Sequence, residues 1–372
     1  MRTQKHALIL AGGIGARLWP MSRLQRPKQF LQVESGPTLL GKTMERARLL
    51  FDRDSIWVVC KPYQVDEVNR QLPDLDSSKI IVEPVPKGTA GAVILGVMTI
   101  CKRCPEAVVS VFPSDHSIKP TDRFANIIEA GMEWASANFS IVTYGIRPDS
   151  PETSYGYIEA GGTVGQCSNW NCMEVTSFHE KPDPKTANAY FRSNRFLWNS
   201  GMLSFSVKVL DMLLKDDAFS VWEPLYRICA SRDEISLDEV RQIYDCLPED
   251  SFDTAILEKL ARCRGIGASG LDINLVVFPC DFEWYDLGVW ESFYRMLSKD
   301  ESGNALSGKV ATVDCRGSLV FSKGDVLVGA IGLQDMVVVC VDDAVLVCPR
   351  RELDRVRELV EVLAKGDYKD YV

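Results

Sequence analysis

Three features of the 372-residue chain predict an α/β fold built on a mixed, mostly parallel sheet. Apolar bursts recur through the first half at "HALILA", "SIWVVC", "KIIVEP", "AVVSVFP" and "FSIVTYGI". Segments of helix length separate them, which is the alternation that βαβ units require. Beyond residue 308 the pattern changes to short strands divided by turns, which marks a second, smaller module.

The first burst runs from Ala7 to Ala11 and leads straight into Gly12 and Gly13. It therefore reads as a buried first strand rather than a secretory leader, and a cytoplasmic location is expected. Leu39, Leu40, Thr43, Ala47 and Leu50 recur at helical spacing over 39–51. Residues 151–206 are rich in Gly, Asn and Ser, with alternating strands around "YGYIEAGG" and "VTSFHEKPD". They read as an inserted antiparallel lobe, a lid over a site on the main sheet. Helical segments return from Val207 to Ala261, and the polar stretch "SKDESGNALSG" is the best linker in the chain. After it come "SLVFS", "VLVGAIG", "MVVVCV" and "AVLVCP", then an amphipathic helix with Leu353, Val356, Leu359, Val360 and Leu363 on one face. The expected organisation is one domain over 1–297, containing the 151–206 lobe, and a C-terminal module over 308–372.

Composition excludes several classes. Lysine and arginine total 42 against 51 acidic residues, a net charge of −9, which argues against a nucleic-acid partner. Nothing approaches the roughly 18 consecutive apolar residues of a membrane span. The 12 cysteines are scattered singly and read as buried reduced thiols. Cys101 and Cys104 form an isolated C-x-x-C, Cys167 and Cys172 stand near each other, and the histidines are His6, His116 and His179 alone, so a structural zinc site is not expected.

The chemistry concentrates in "LILAGGIGARLWPMSRLQRPKQFL", residues 8–31. A Walker A loop needs Lys-Ser or Lys-Thr after its glycines, and none follows here. A G-x-G-x-x-G fingerprint fits Gly13 and Gly15 but puts Leu18 in its third place. What remains is a strand followed by Gly-Gly-x-Gly-x-Arg. Glycines admit backbone N–H groups close to phosphate oxygens, Arg17 can bridge two of them, and Lys28 adds a compact charge. A tight strand-to-helix connection is the plain structural alternative.

This stretch, with Leu18-Trp19-Pro20 and Pro27-Lys28-Gln29-Phe30, closely resembles the signature of the sugar-1-phosphate nucleotidyltransferases. The likeness continues through "EPVPKGTAGAV", "FPSDHSI", "SYGYIE", "FHEKPD", "FLWNSGMLSF", "SFDTAILEK" and "EWYDLGVW", nearly the whole chain. It implies a Rossmann-like, GT-A-like catalytic domain with a small left-handed β-helix-like module that helps a homodimer form. If so, truncation after about Ser298 is expected to give a monomer. It also implies transfer of the guanylyl group of GTP to mannose 1-phosphate, giving GDP-mannose and pyrophosphate with Mg²⁺ as cofactor. No general base is required, because a phosphate monoester is largely dianionic at neutral pH. Isomerase chemistry is not expected, since histidines are absent beyond His179.

Carried over residue by residue, the resemblance puts Ala11, Gly12, Gly13, Gly15, Arg17, Glu83, Thr89, Ser114 and Asp115 on the nucleotide. It puts Lys28, Gly156, Glu180, Lys181 and Asn199 on the sugar phosphate and Asp115 and Asp286 on the metal. Arg17, Lys28, Asp115, Lys181 and Asp286 then form the catalytic set, with His116 orienting or packing. Relatives read Arg-Asn-Thr-Ala-Pro-Ala where this chain has Lys87-Gly88-Thr89-Ala90-Gly91-Ala92, which leaves GTP favoured over other nucleotides rather than fixed. Two alternatives stay open: the same chemistry on another hexose or heptose 1-phosphate or nucleotide, and a non-catalytic nucleotide-sugar-binding subunit. The latter is expected to lose Asp115, Asp286 or Lys28, and all three are present.

Overall fold

The computed structural model describes residues 4–33, 36–230, 236–262 and 273–372. It divides into two compact units. The first comprises residues 1–12, 41–114 and 118–284, the second 13–40, 115–117 and 285–372.

The first unit is built on a nine-stranded sheet. Its strands are β1 (Lys5–Leu10), β2 (Ile56–Cys60), β3 (Ile80–Val82), β4 (Val108–Pro113), β5 (Ser140–Ile146), β6 (Tyr157–Cys167), β7 (Trp170–His179), β8 (Phe196–Ser206) and β9 (Asn274–Cys280). Their spatial order is β3-β2-β1-β4-β8-β5-β9-β7-β6. The first four are mutually parallel, as are β5 and β9, whereas β8 pairs antiparallel with β4 and β5. Ala7, Leu8 and Ile9 are fully buried, as continuous apolar strands of a covered parallel sheet must be. Leu8 packs in one cluster with Val93 and Val97 of the helix Gly88–Arg103.

Strand order reverses between β1 and β4, and such a switch point opens a ligand crevice beyond the carboxyl ends of the strands. Leu10 lies opposite Pro113 there, and the Ser114 N–H donates to the Leu10 carbonyl at 3.2 Å. The local register therefore sets Ala11 and Gly12 beside Ser114.

Residues 151–206 do not form a separate lid. Strands β6, β7 and β8 belong to the main sheet, with β7 paired to β9 and β6 paired to β7 and β8. Period-two alternation marks one buried and one wet face, and an edge of a large sheet supplies these as well as a lid does. Helices occupy the 207–261 region as expected, except that 231–235 lies outside the described residues.

In the second unit, parallel strands β10 (Ala305–Ser307), β12 (Leu319–Lys323) and β14 (Met336–Val341) stack in register, and β15 (Ala344–Pro349) closes a hairpin on β14. A second pair, β11 (Val310–Val313) and β13 (Val328–Ile331), stacks likewise, the arrangement of a short coil. The core of these coils is not their own. Leu18, Trp19, Met21 and Leu31 from the glycine-turn segment pack in one cluster with Trp290, Phe293, Leu319, Phe321, Val337 and Val339. The Trp290 indole donates to the Trp19 carbonyl at 2.9 Å, and the Trp19 indole to the Tyr371 carbonyl at 2.8 Å. Packing thus divides the chain differently from the expected boundaries at 297 and 308. Truncation after Ser298 would strip this core instead of merely releasing a dimer contact. In the terminal helix Val356–Lys365, Val356 is buried, Val360 and Leu363 pack partly on the same cluster, and Leu359 stays exposed.

No helix among the described residues is long and apolar enough to cross a membrane. The described cysteines, Cys101, Cys104, Cys167 and Cys172 included, are free thiols.

Candidate active site

The phosphate-side residues gather in the second unit. Gly15 takes φ +78°, a conformation open to glycine, and a side chain there would collide with the Lys28 stem, 2.7 Å from a built Cβ. The turn therefore holds Lys28 close, and the Lys28 N–H reaches the Ile14 carbonyl at 3.4 Å. The Lys28 ammonium forms an ion pair with Asp115. Burial opposes its charge, yet the Asp115 and Asp286 carboxylates hold it above the ordinary lysine value, with Arg17 working the other way. Burial likewise raises the Asp115 carboxyl, but Lys28 and His116 together bring it below the usual carboxylate range. Arg17 lies on the 3₁₀ turn Ala16–Leu18 that follows Gly15.

Asp286 is tied to Asp115 through the chain, since the Leu287 N–H donates to the Asp115 carbonyl at 3.2 Å. Asp115, His116 and Asp286 each present one ligand-capable atom, all within 4.8 Å of one another. Asp286 Oδ1 is buried without a hydrogen-bond donor among the described residues. An orphaned carboxylate oxygen beside a second carboxylate suits a hard divalent cation such as Mg²⁺, for which the His116 imidazole is the poorer ligand.

The other predicted residues belong to the first unit. Gly12 faces Glu83 and Lys61, whose side chains approach its built Cβ to 3.6 and 3.8 Å. Glu83 is buried with Oε1 unpartnered, and burial raises its carboxyl to about 7 against the opposing Lys61 charge. The residues that depart from the family pattern serve the fold. Lys87 Nζ donates to the Leu247 carbonyl at 2.7 Å, and the Tyr244 hydroxyl donates to the Gly91 carbonyl at 2.8 Å. Thr89 Oγ1 accepts the Phe252 N–H at 2.9 Å, so one of its two acceptor lone pairs is committed locally.

Gly156, between buried Tyr155 and Tyr157, lies against Glu180 and Asn199. A Cβ there would stand 2.7 Å from Glu180 Oε2 and 3.4 Å from the Asn199 Cβ. The Asn199 N–H donates to the Gly156 carbonyl at 2.8 Å. Lys181 pairs with Glu180 and holds φ +44°, a strained value for a lysine and one that concentrates at functional positions. One residue of this group was not anticipated. Asp253 opens the π-helical turn Asp253–Glu258, and its Oδ1 accepts the Asn199 amide at 2.7 Å. Burial and the neighbouring Glu180 raise its carboxyl to about 6. The only sequence signal was its place in "SFDTAILEK".

Comparison with known proteins shows the family. The family profile described as Nucleotidyl transferase matches residues 6–303, and one described as a MannoseP isomerase/GMP-like beta-helix domain matches 308–363. The chain belongs to the nucleotidyl transferase family, and it is an enzyme of that type. A mannose-1-phosphate guanylyltransferase of Escherichia coli is 33% identical over 98% of this chain and 76% of its own length. One from Klebsiella pneumoniae is also 33% identical, over 98% and 75%. A solved structure described as a mannose-1-phosphate geranyltransferase from Thermus thermophilus is 31% identical with a TM-score of 0.82, covering 97% of this chain and 99% of that one.

Proposed function

We propose that the chain transfers the guanylyl group of GTP to α-D-mannose 1-phosphate, releasing pyrophosphate. The observation that carries this reading is the Lys28 ammonium held against Asp115 with Asp286 close by, beside a glycine turn. Such a site suits charge neutralisation and positioning, the two demands of joining polyanions in line. A phosphate oxygen of the sugar phosphate attacks the α-phosphorus, a new P–O bond forms, and the bond to the β-phosphate breaks. Lys28 and Arg17 balance the charge that shifts onto the leaving pyrophosphate. Asp115 and Asp286 would hold Mg²⁺, whose bound form supplies further neutralisation of the phosphates. The unmet Oε1 of Glu83 offers an acceptor to a base edge that carries N–H donors, as guanine does. Glu180, Lys181, Asn199 and Gly156 take the sugar phosphate.

Pyrophosphate release with Mg²⁺, measured for four nucleoside triphosphates against mannose, glucose and heptose 1-phosphates, tests the assignment. GTP with mannose 1-phosphate is expected to give the highest kcat/KM. A preference for UTP or dTTP overturns the nucleotide, and no turnover with any pair overturns catalysis. A homodimer in the cytoplasm belongs to the same reading. It is supported by the free thiols and by Val313, Leu327 and Ile331, which leave an apolar patch on the coil exposed. Light scattering that gives the monomer mass of 41.6 kDa at micromolar concentration counts against the dimer.

A further inference from the structure

We infer that Asp253 is a specificity-determining residue that accepts a hydrogen bond from one sugar hydroxyl, with Asn199 as the residue that positions it. The inference rests on the sugar-phosphate reading of the Gly156, Glu180, Lys181 and Asn199 group. Asn199 is less free to read a hydroxyl than its place in "WNSG" implies. One hydrogen of its amide is spent on Asp253 Oδ1 at 2.7 Å, and its Oδ1 accepts the Gly201 N–H at 3.2 Å. Both bonds fix the Asn199 plane, and the first fixes the Asp253 carboxylate. Oδ2 of Asp253 takes no hydrogen bond from another described residue. The carboxylate also takes a hydrogen bond from its own backbone N–H, and held on one side by Asn199 next to Glu180 it keeps acceptor capacity for a further donor, which a sugar hydroxyl is.

The surrounding backbone supports the same reading. The segment Asp250–Asp253 is clamped at both ends. The Asp250 carbonyl accepts the Ala90 N–H at 3.2 Å, the Phe252 N–H donates to Thr89 Oγ1 at 2.9 Å, and Asn199 holds Asp253. The helix that begins there opens into a π turn, a distortion that costs hydrogen-bond quality and is frequent at functional sites. A capping aspartate would instead hydrogen-bond N–H groups further along its own helix, and Asp253 does not.

Two measurements test the role. The first compares mannose 1-phosphate with its 2-, 3-, 4- and 6-deoxy analogues in wild type and Asp253→Asn. Losing a hydrogen bond to a charged acceptor is expected to raise KM for the parent sugar by roughly ten- to a hundredfold. KM for GTP should be unchanged, and the penalty should vanish for one deoxy analogue only. An equal penalty on every analogue, or none on the parent sugar, overturns the inference. Glu180→Gln separates the two levels of argument. If it raises KM for the sugar phosphate and Asp253→Asn does not, the inference fails alone; if neither does, the sugar-site reading fails too.

The second needs no variant. The groups facing Asp253 are Glu180, which raises its carboxyl, and Lys181, which lowers it. Protonation near pH 6 removes the charge that strengthens the acceptor, so the ratio of deoxy to parent KM should fall toward one as pH drops from 7.5 to 5. The phosphate titrates alike in both substrates and cancels in that ratio. A ratio that stays flat across the range overturns the role.

Discussion

Asp115→Asn and Asp286→Asn each lower kcat by about a thousandfold or more, in pyrophosphate release at saturating substrates. The substitution keeps shape and removes one negative charge. Among the described residues, Asp115 faces the Lys28 ammonium and the His116 ring, and under the proposed mechanism the two carboxylates would hold a further cation against the phosphates. The two variants differ in stability. Asp286→Asn leaves the ion pair between Lys28 and Asp115 in place, and its Tm is expected close to wild type. It also softens the unmet demand of the buried Oδ1. Asp115→Asn deletes the carboxylate that Lys28 contacts, and its Tm is expected to fall by several degrees. Raising Mg²⁺ tenfold restores part of the lost rate in both, because two ligand positions are weakened and not abolished. A near-wild-type rate in either variant removes that residue from the site.

Much of this arrangement was legible because it is local. The spacing of Gly13 and Gly15 excluded two common phosphate loops, and the structure gives Gly15 a conformational and steric reason to be glycine. Asp115 was readable because the resemblance runs through "FPSDHSI", a short contiguous stretch. What escaped is long-range. Leu18 and Trp19 were legible as part of a signature, but no local period says that their partners, and those of Met21, are Trp290, Phe321 and Val339. The boundaries at 297 and 308 followed composition and lie close to where the two family profiles meet, at 303 and 308, while the shared core crosses them. Strands 157–206 showed the right period and the wrong place, because alternation reports faces and not neighbours. Asp253 was hidden for a third reason: an aspartate that opens a helix reads as a cap until its hydrogen bond is seen to leave the helix for Asn199.

Lys28→Met is expected to lower stability at pH 7 by about 3–5 kcal/mol and kcat by about a hundredfold or more, and the two losses have different causes. Methionine keeps the stem that fills the space above Gly15, so packing changes little. The Asp115 carboxylate, only 10% exposed at its side chain, loses its cation while Asp286 stays near. The sign of the pH dependence follows from both partners. Asp115 is held below the usual carboxylate range, so its contribution is present above the unfolded value, near pH 4, and disappears as pH falls through the folded one. Lys28 is held above the ordinary lysine value, so its contribution is present below about pH 10 and disappears as pH rises through the folded one. Wild type and variant therefore differ across the neutral plateau and converge at both extremes. Within that plateau the variant gains stability from pH 7 to pH 5, as protonation relieves the stranded carboxylate, and the wild type does not. Added Mg²⁺ at pH 7 gives the variant a larger rise in Tm than it gives wild type, because a cation replaces the missing charge where the ammonium stood. Rate is not expected to return with it, since stability requires only some positive charge at Asp115, whereas the proposed mechanism needs the Lys28 charge beside the reacting phosphorus. Chemical denaturation of both proteins at pH 5 and pH 7, with and without Mg²⁺, measures all four terms. An equal stability of the two proteins at pH 7 shows that the ion pair contributes nothing, and a loss that is the same at pH 5 assigns it to packing.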